Sequence, residues 1–258
     1  MTSESSTAAM GIETGGETRV TARTAELTAN LTTLTERIDA ACRVAGREPD
    51  TVRLLPVTKF FPASDIEILY GLGRREFGES REQEASEKVA QLRHLAHVRW
   101  EFIGRLQRNK AKHVARWANA VYSVDSDRLA TALDTAVTAA LEAGDRATPL
   151  RVLLQVSLDA DPTRGGVAPD DLPALAERIE ESASLQLAGL MAIPPLGTDP
   201  AAEFARLADL HGRLLAAHPQ ARELSAGMSN DLEAAIAHGS TCVRVGTALM
   251  GARPITSP

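Results

Sequence analysis

Short runs rich in β-branched residues alternate with helix-patterned segments along almost the whole chain, and this alternation limits the possible folds more than any other feature. The runs are VRLLPVTK (52–59), REFGES (75–80), VRWEFIG (98–104), AVYSVDS (120–126), RVLLQVSL (151–158), QLAGLMAI (186–193), ELSAGMS (223–229) and CVRVGTAL (242–249). Helical candidates span 63–72, 82–95, 106–117, 127–143, 169–182, 200–217 and 232–238. Their apolar spacing suits helices laid over a sheet, and each connection is long enough for a parallel crossover. Eight such units in about 240 residues predict one α/β domain, a (β/α)8 TIM barrel. The rival, an open doubly wound sheet, favours a glycine-rich turn after the first strand, and here that turn reads KFFPAS (59–64).

Ahead of the first strand, Leu27, Leu31, Leu34 and Ile38 recur at helical spacing and Gly46 follows as a stop, which predicts an extra N-terminal helix over 19–45. Residues 1–18, rich in Ser, Thr, Gly and Glu, read as a disordered tail and not as a signal peptide or presequence, leaving 19–258 as the barrel domain. No run of about 18 apolar residues suggests a membrane span. The net charge of −6 supplies no basic field for nucleic acid or an anionic membrane, but leaves room for a local anion pocket. Cys42 and Cys242 form neither a metal spacing nor a disulfide framework, so a reducing, cytoplasmic setting is expected.

In LLPVTKFFP (54–62) a lone cation, Lys59, ends the first strand between apolar neighbours. Alternation places it on the face of Val57, Leu55 and Arg53, opposite Leu54, Pro56 and Thr58. Parallel strands are apolar on both faces, so the pattern leaves open which face is the lumen. Barrel active sites sit at the C-terminal strand ends, which is where Lys59 falls.

The segment 225–251, SAGMSNDLEAAIAHGSTCVRVGTALMG, reads as two strand ends around a short helix. Asn230 with Glu233 has the spacing of a capping box, which predicts a helix N-terminus beside the Ser229 hydroxyl. Gly246 and Thr247 add backbone amides and a second hydroxyl, and together these groups suit a phosphate dianion. Such sites follow the seventh and eighth strands of many barrels. Arg244 shares a face with Gly246, and its guanidinium donates without accepting, as a partner of a ring nitrogen must. A lysine, a phosphate site and a ring partner describe a pyridoxal 5'-phosphate pocket in which the lysine amine forms a Schiff base. Burial among apolar groups lowers the lysine pKa and supplies the neutral amine.

The chain also resembles the pyridoxal phosphate homeostasis proteins, the proline synthase co-transcribed type, from about residue 27 to 253. The resemblance rests on VTK (57–59), FGE (77–79) with Gln83 and Glu84, FIGRLQRNK (102–110), SVDS (123–126), GLMAI (189–193), GMSNDLEAAIAHGST (227–241) and VRVGTALMG (243–251). It implies a barrel like the alanine racemase N-terminal domain, Lys59 as the Schiff-base lysine, phosphate contacts at Ser229, Gly246 and Thr247, and a ring-nitrogen contact from Arg244. It also implies a role in cofactor balance. Three positions depart from the family pattern: Ser80 for asparagine, Glu101 for histidine and Arg164 for lysine.

The histidines show no paired metal spacing and read as surface residues. The basic run 104–116 lacks interleaved aromatics for base stacking, and Asp125 and Asp127 read as a strand end and a helix cap. Two functions remain in view. One is a cofactor carrier or regulator that yields pyridoxal phosphate to apoenzymes; the other is a racemase-like enzyme using the same lysine. Racemisation needs a second proton carrier opposite the lysine, which alanine racemases take from another domain. The short stretch after Leu249 leaves little room for one, so the carrier, and a monomer, are the expectation.

Overall fold

The computed structural model describes residues 7–159, 161 and 163–253, with side chains from residue 18 onward. Eight strands run parallel: β1 (Arg53–Pro56), β2 (Glu76–Glu79), β3 (Arg99–Phe102), β4 (Ala120–Val124), β5 (Leu150–Gln155), β6 (Leu185–Met191), β7 (Glu223–Ser225) and β8 (Cys242–Val245). Hydrogen-bonded neighbours follow in the order β1-β8-β7-β6-β5-β4-β3-β2. The ring shuts where Val57 bridges Gly78 and the Thr58 amide donates to the Gly78 carbonyl at 3.0 Å. A nearly closed TIM barrel results, as the alternating pattern implies.

The helices are α1 (Thr7–Val44), α2 (Ala63–Gly71), α3 (Glu82–Gln91), α4 (Ala111–Trp117), α5 (Asp127–Glu142), α6 (Leu172–Glu180), α7 (Pro200–Ala217), α8 (Leu232–Ala237) and α9 (Thr247–Met250). Of the expected tail over 1–18, residues 1–6 lie outside the described residues and the backbone of 7–18 is helical. The last apolar run, expected to be strand to residue 249, is strand only to Val245 and then turns into α9.

The lumen is filled by Leu55, Ala120, Tyr122, Leu153, Ala188, Met191 and Cys242. Leu55 therefore settles the open question of β1: its face, shared with Val57 and Lys59, points inward. Below this layer Arg53 donates to Glu76 Oε2 at 2.6 Å, to the Tyr122 hydroxyl at 2.9 Å and to Glu223 Oε2 at 2.9 Å. A half-buried cation meets carboxylates from two other strands, so the bottom of the barrel is plugged by paired charge. Outside the wall, the helices bury their apolar stripes in two larger clusters.

α1 buries Leu27, Leu34, Ile38, Ala41 and Cys42 against the β1–β8 side. Its polar residues then tie down the loops that follow β7 and β8. Asn30 donates to the Leu249 carbonyl at 2.9 Å, Arg23 to the Met250 carbonyl at 2.9 Å, and Arg37 to the Ser229 carbonyl at 2.8 Å. The extra helix is thus a brace for one edge of the open top face.

Candidate functional site

β1 and β8 pair in register, Leu55 opposite Arg244 and Pro56 opposite Val245. One step beyond, the Val57 amide donates to the Val245 carbonyl at 2.9 Å. Lys59 leaves β1 two residues after Val57, and Gly246 leaves β8 against Val57: a Cβ built on Gly246 would stand 3.5 Å from the Val57 Cβ and carbonyl oxygen. A side chain at 246 would fill the space between the two strand ends. Glycine keeps it clear.

Lys59 is half-buried, and burial lowers its pKa from the ordinary lysine value. The positive charge of Arg253 lowers it further, while Glu79 and Glu84 act in the opposite sense. The neutral amine expected from the apolar neighbours is thereby favoured. Phe60 beside it has φ of 72°, and its ring carries the Arg253 guanidinium 4.8 Å and the Arg81 guanidinium 5.4 Å from its centroid.

Arg244 is 4% exposed and donates to the Ser225 hydroxyl at 2.7 Å and to the Ala192 carbonyl at 3.0 Å. Both acceptors are neutral. Burial lowers its pKa, yet a guanidinium remains charged, so the inner top face holds a dehydrated cation that, among the described residues, is hydrogen-bonded to no carboxylate. Its amide donates to the Gly227 carbonyl at 2.9 Å. Gly227 has φ of +90°, and a Cβ there would lie 2.6 Å from the Ala235 Cβ, so only glycine lets α8 pack over the end of β8.

The Ser229 hydroxyl accepts from the Ala248 amide at 3.3 Å, which joins the loop after β7 to the first turn of α9. Gly246 occupies the N-cap of α9 and Thr247 its first position, where helices leave amides without intrahelical partners. Ser229, Gly246 and Thr247 therefore meet at one place, beside Arg244 and across the β1–β8 pair from Lys59. The capping box does not form. Asp231 is the N-cap of α8 and accepts from the Met228 amide at 2.6 Å, because Glu233 is drawn outward to Arg37, Nη2 to Oε2 at 2.8 Å.

Three departures from the family pattern also find places. Glu101 is buried on the lumen face near the bottom of the barrel, accepting from Asn119 at 2.8 Å, and burial raises its pKa. It stands near the Arg53 plug as a group that burial pushes toward its neutral form. Ser80 packs its backbone against Gly104. Arg164 pairs with Asp159 at 2.6 Å and donates to the Ile193 and Pro194 carbonyls at 2.9 and 2.7 Å, clamping the loop after β5 onto the loop after β6.

Sequence reasoning missed the buried knot behind Lys59. Lys88 donates to the Thr58 carbonyl at 2.9 Å, to Glu79 Oε1 at 2.8 Å and to Glu84 Oε1 at 2.7 Å. Its signal was present: Lys88 falls three residues after buried Ala85 on the covered face of α3. A lysine in an apolar stripe needs partners. His211 is also buried and not a surface residue, with Nε2 2.9 Å from the Ala221 carbonyl. Asp127 heads α5, but Ser126 is its N-cap. A broad cavity of 1260 Å³ lies next to the site, over the loops after β2, β3 and β4, and is lined in part by Arg81, Glu84, Phe102, Arg105 and Arg128. Among the described residues no helix is long and apolar enough to cross a membrane.

The family described as alanine racemase, N-terminal domain, matches residues 29–254. A protein of Mycobacterium tuberculosis named pyridoxal phosphate homeostasis protein is 52% identical over 248 residues, covering 92% of this chain and 96% of its own length. An Escherichia coli K12 protein of the same name is 37% identical over 233 residues, covering 87% and 95%. Among solved structures, PipY of Synechococcus elongatus with PLP bound matches with a TM-score of 0.72 at 36% identity, covering 84% of this chain and 99% of that one. An alanine racemase of Corynebacterium glutamicum, 14% identical with a TM-score of 0.61, covers 85% of this chain and 60% of its own, a likeness of fold.

Proposed function

This chain belongs to the pyridoxal phosphate homeostasis proteins, built on the alanine racemase N-terminal fold, and from that membership we propose that it binds pyridoxal 5'-phosphate at the β1–β8 strand ends and serves cofactor homeostasis. The observation that carries the reading is Arg244 on β8, the strand beside β1: a buried guanidinium that, among the described residues, donates to the neutral oxygens of Ser225 and Ala192. Such a group is suited to donate to an uncharged ring nitrogen, and it cannot accept a proton from one. Ser229, Gly246 and Thr247 would hold the phosphate at the N-terminal turn of α9, with α1 holding their loops in place.

When bound, the cofactor supplies an aldehyde open to reversible attack by an amine. Lys59 would provide that amine, and burial and the Arg253 charge shift it toward its neutral form. Arg244, beside the ring nitrogen, would keep a proton off it and so limit the ring as an electron sink. The racemase alternative needs a proton carrier opposite Lys59. Glu101, which stands where the family has a histidine, is engaged with Asn119 near the barrel bottom, and this supports carrier over enzyme. We take the protein to act as a cytoplasmic monomer that yields its cofactor to apoenzymes.

The test reduces the cofactor-loaded protein with borohydride and maps the adduct by peptide mass; it is expected on Lys59. In parallel, the loaded protein is mixed with a cofactor-free pyridoxal enzyme and, separately, with single-enantiomer amino acids. Activation of the apoenzyme with no change of chirality is the expected result. Lys59-dependent racemisation at about 1 per second or faster would overturn the carrier reading.

A further inference from the structure

Lys59 and Phe60 are the two central residues of a turn that the Phe61 amide closes onto the Thr58 carbonyl at 3.1 Å. Phe60, third in that turn, has φ of 72°. This is the position at which turns with a positive φ take glycine, since a Cβ is crowded there. A phenylalanine persists in that conformation only if its surroundings impose it. The Phe60 amide donates to Glu84 Oε1 at 2.6 Å, so a carboxylate from α3 holds the Lys59–Phe60 peptide in the unfavourable orientation.

The same carboxylate oxygen receives Lys88 Nζ at 2.7 Å. The remaining two donors of Lys88 go to the Thr58 carbonyl and to Glu79 Oε1, and Glu79 Oε1 also accepts from the Thr58 hydroxyl at 2.7 Å. One ammonium group, 5% exposed, thus ties together the residue before Lys59, the carboxylate that holds the residue after it, and the end of β2. All its donors are used, and it lies behind the barrel wall on the α3 side.

We infer that Lys88 is a positioning residue for Lys59: through Thr58, Glu79 and Glu84 it imposes the strained turn that sets the direction in which the Lys59 amine leaves β1. This rests on the proposal that Lys59 reacts with the aldehyde of pyridoxal phosphate. Correct approach of an amine to a carbonyl is a matter of angle and distance, and displacements on the order of 1 Å cost rate. The charged groups that face Lys59 are Glu79 from β2, Glu84 from α3 and Arg253 from the segment after α9, with Lys88 neutralising the two carboxylates.

The experiment adds pyridoxal 5'-phosphate to purified protein and follows the visible absorbance of the covalent linkage, its rate of appearance and the pH at which it titrates. Pyridoxine 5'-phosphate, which lacks the aldehyde, reports the integrity of the pocket. Lys88→Met is expected to form the linkage about tenfold more slowly. Its titration should move to higher pH, because two carboxylates lose their counter-ion and stabilise the protonated forms. Lys88→Arg should recover most of the rate. Glu84→Ala removes the hold on Phe60 at a less buried position, so it decides the matter where Lys88→Met does not fold. It should also slow linkage, with its titration moved to lower pH. Affinity for pyridoxine 5'-phosphate should be unchanged in every folded variant.

Wild-type rates and titrations in both variants would overturn the inference, as would a loss of linkage that runs parallel to a loss of pyridoxine 5'-phosphate binding. A wild-type protein that forms no linkage on Lys59 would instead overturn the functional reading on which it rests, and is distinguished by the wild-type trace alone.

Discussion

Arg244 donates to the Ser225 hydroxyl at 2.7 Å, so the side chain that would meet the cofactor ring on β8 is aimed by a neutral oxygen from β7. Ser225→Ala removes the acceptor and leaves a buried guanidinium short of a partner. A hydrogen bond to a charged group contributes about 1.5–3 kcal/mol, and a loss of that size should appear in urea unfolding. Cofactor retention should fall as well. A change in stability below about 0.5 kcal/mol would place the anchor of Arg244 elsewhere.

At the phosphate end, Thr247→Ala takes a hydroxyl from the first position of α9. Retention of pyridoxal phosphate in dialysis should weaken by about 1.5–3 kcal/mol, the cost of a lost bond to a charged group. Pyridoxal without its phosphate should bind far less well to the unaltered protein. Equal retention of the two vitamers would remove the phosphate role from Ser229, Gly246 and Thr247 together.

Glu101 gives a prediction with a sign. Burial raises its pKa above the ordinary carboxylate value, against the opposing pull of Arg53 and the Asn119 hydrogen bond. The folded state therefore keeps this proton over a pH range in which the unfolded chain has lost it. Stability from this group is full below the ordinary carboxylate pKa and declines as pH rises toward the higher folded value. Glu101→Gln keeps the shape and removes the titration, so the difference in Tm, variant minus wild type, should grow as pH is raised from 4 on the order of two units upward. A difference that shrinks with pH would mean that Arg53 holds Glu101 as a carboxylate.

Two glycines should respond in opposite directions. Gly227→Ala forces a Cβ into a left-handed residue, 2.6 Å from the Ala235 Cβ and 3.1 Å from the Leu232 Cα, and should cost at least about 1–3 kcal/mol. Gly212, inside α7, has nothing within 4 Å of its Cβ position and an ordinary helical φ. Gly212→Ala should stabilise by about 0.5–1 kcal/mol, read by the same unfolding measurement. Equal and small effects at both sites would show that α8 is free to shift away from Gly227.

The barrel was legible because alternation is a long-range pattern repeated at every unit, and the strand-end places of Lys59, Arg244 and Gly246 follow from counting along β1 and β8. What failed was local. The Asn230 and Glu233 spacing suggested a cap, yet Glu233 is engaged by Arg37 of α1, almost two hundred residues away in sequence. The lumen face of β1 could not be chosen from a strand that is apolar on both sides. Lys88 escaped notice because its worth depends on three acceptors from separate elements, none of which is visible in its own helix.

β1 meets β2 through the Val57–Gly78 bridge, in which the Thr58 amide donates to the Gly78 carbonyl at 3.0 Å. In amide hydrogen-exchange language, Thr58 guards a seam. Lys88 and Glu79 bolt that seam from the α3 side, and β1 pairs with β8 in register over four residues, so Lys59 leaves a strand held on both edges. The lock that closes the ring is thus also the lock on the residue before Lys59.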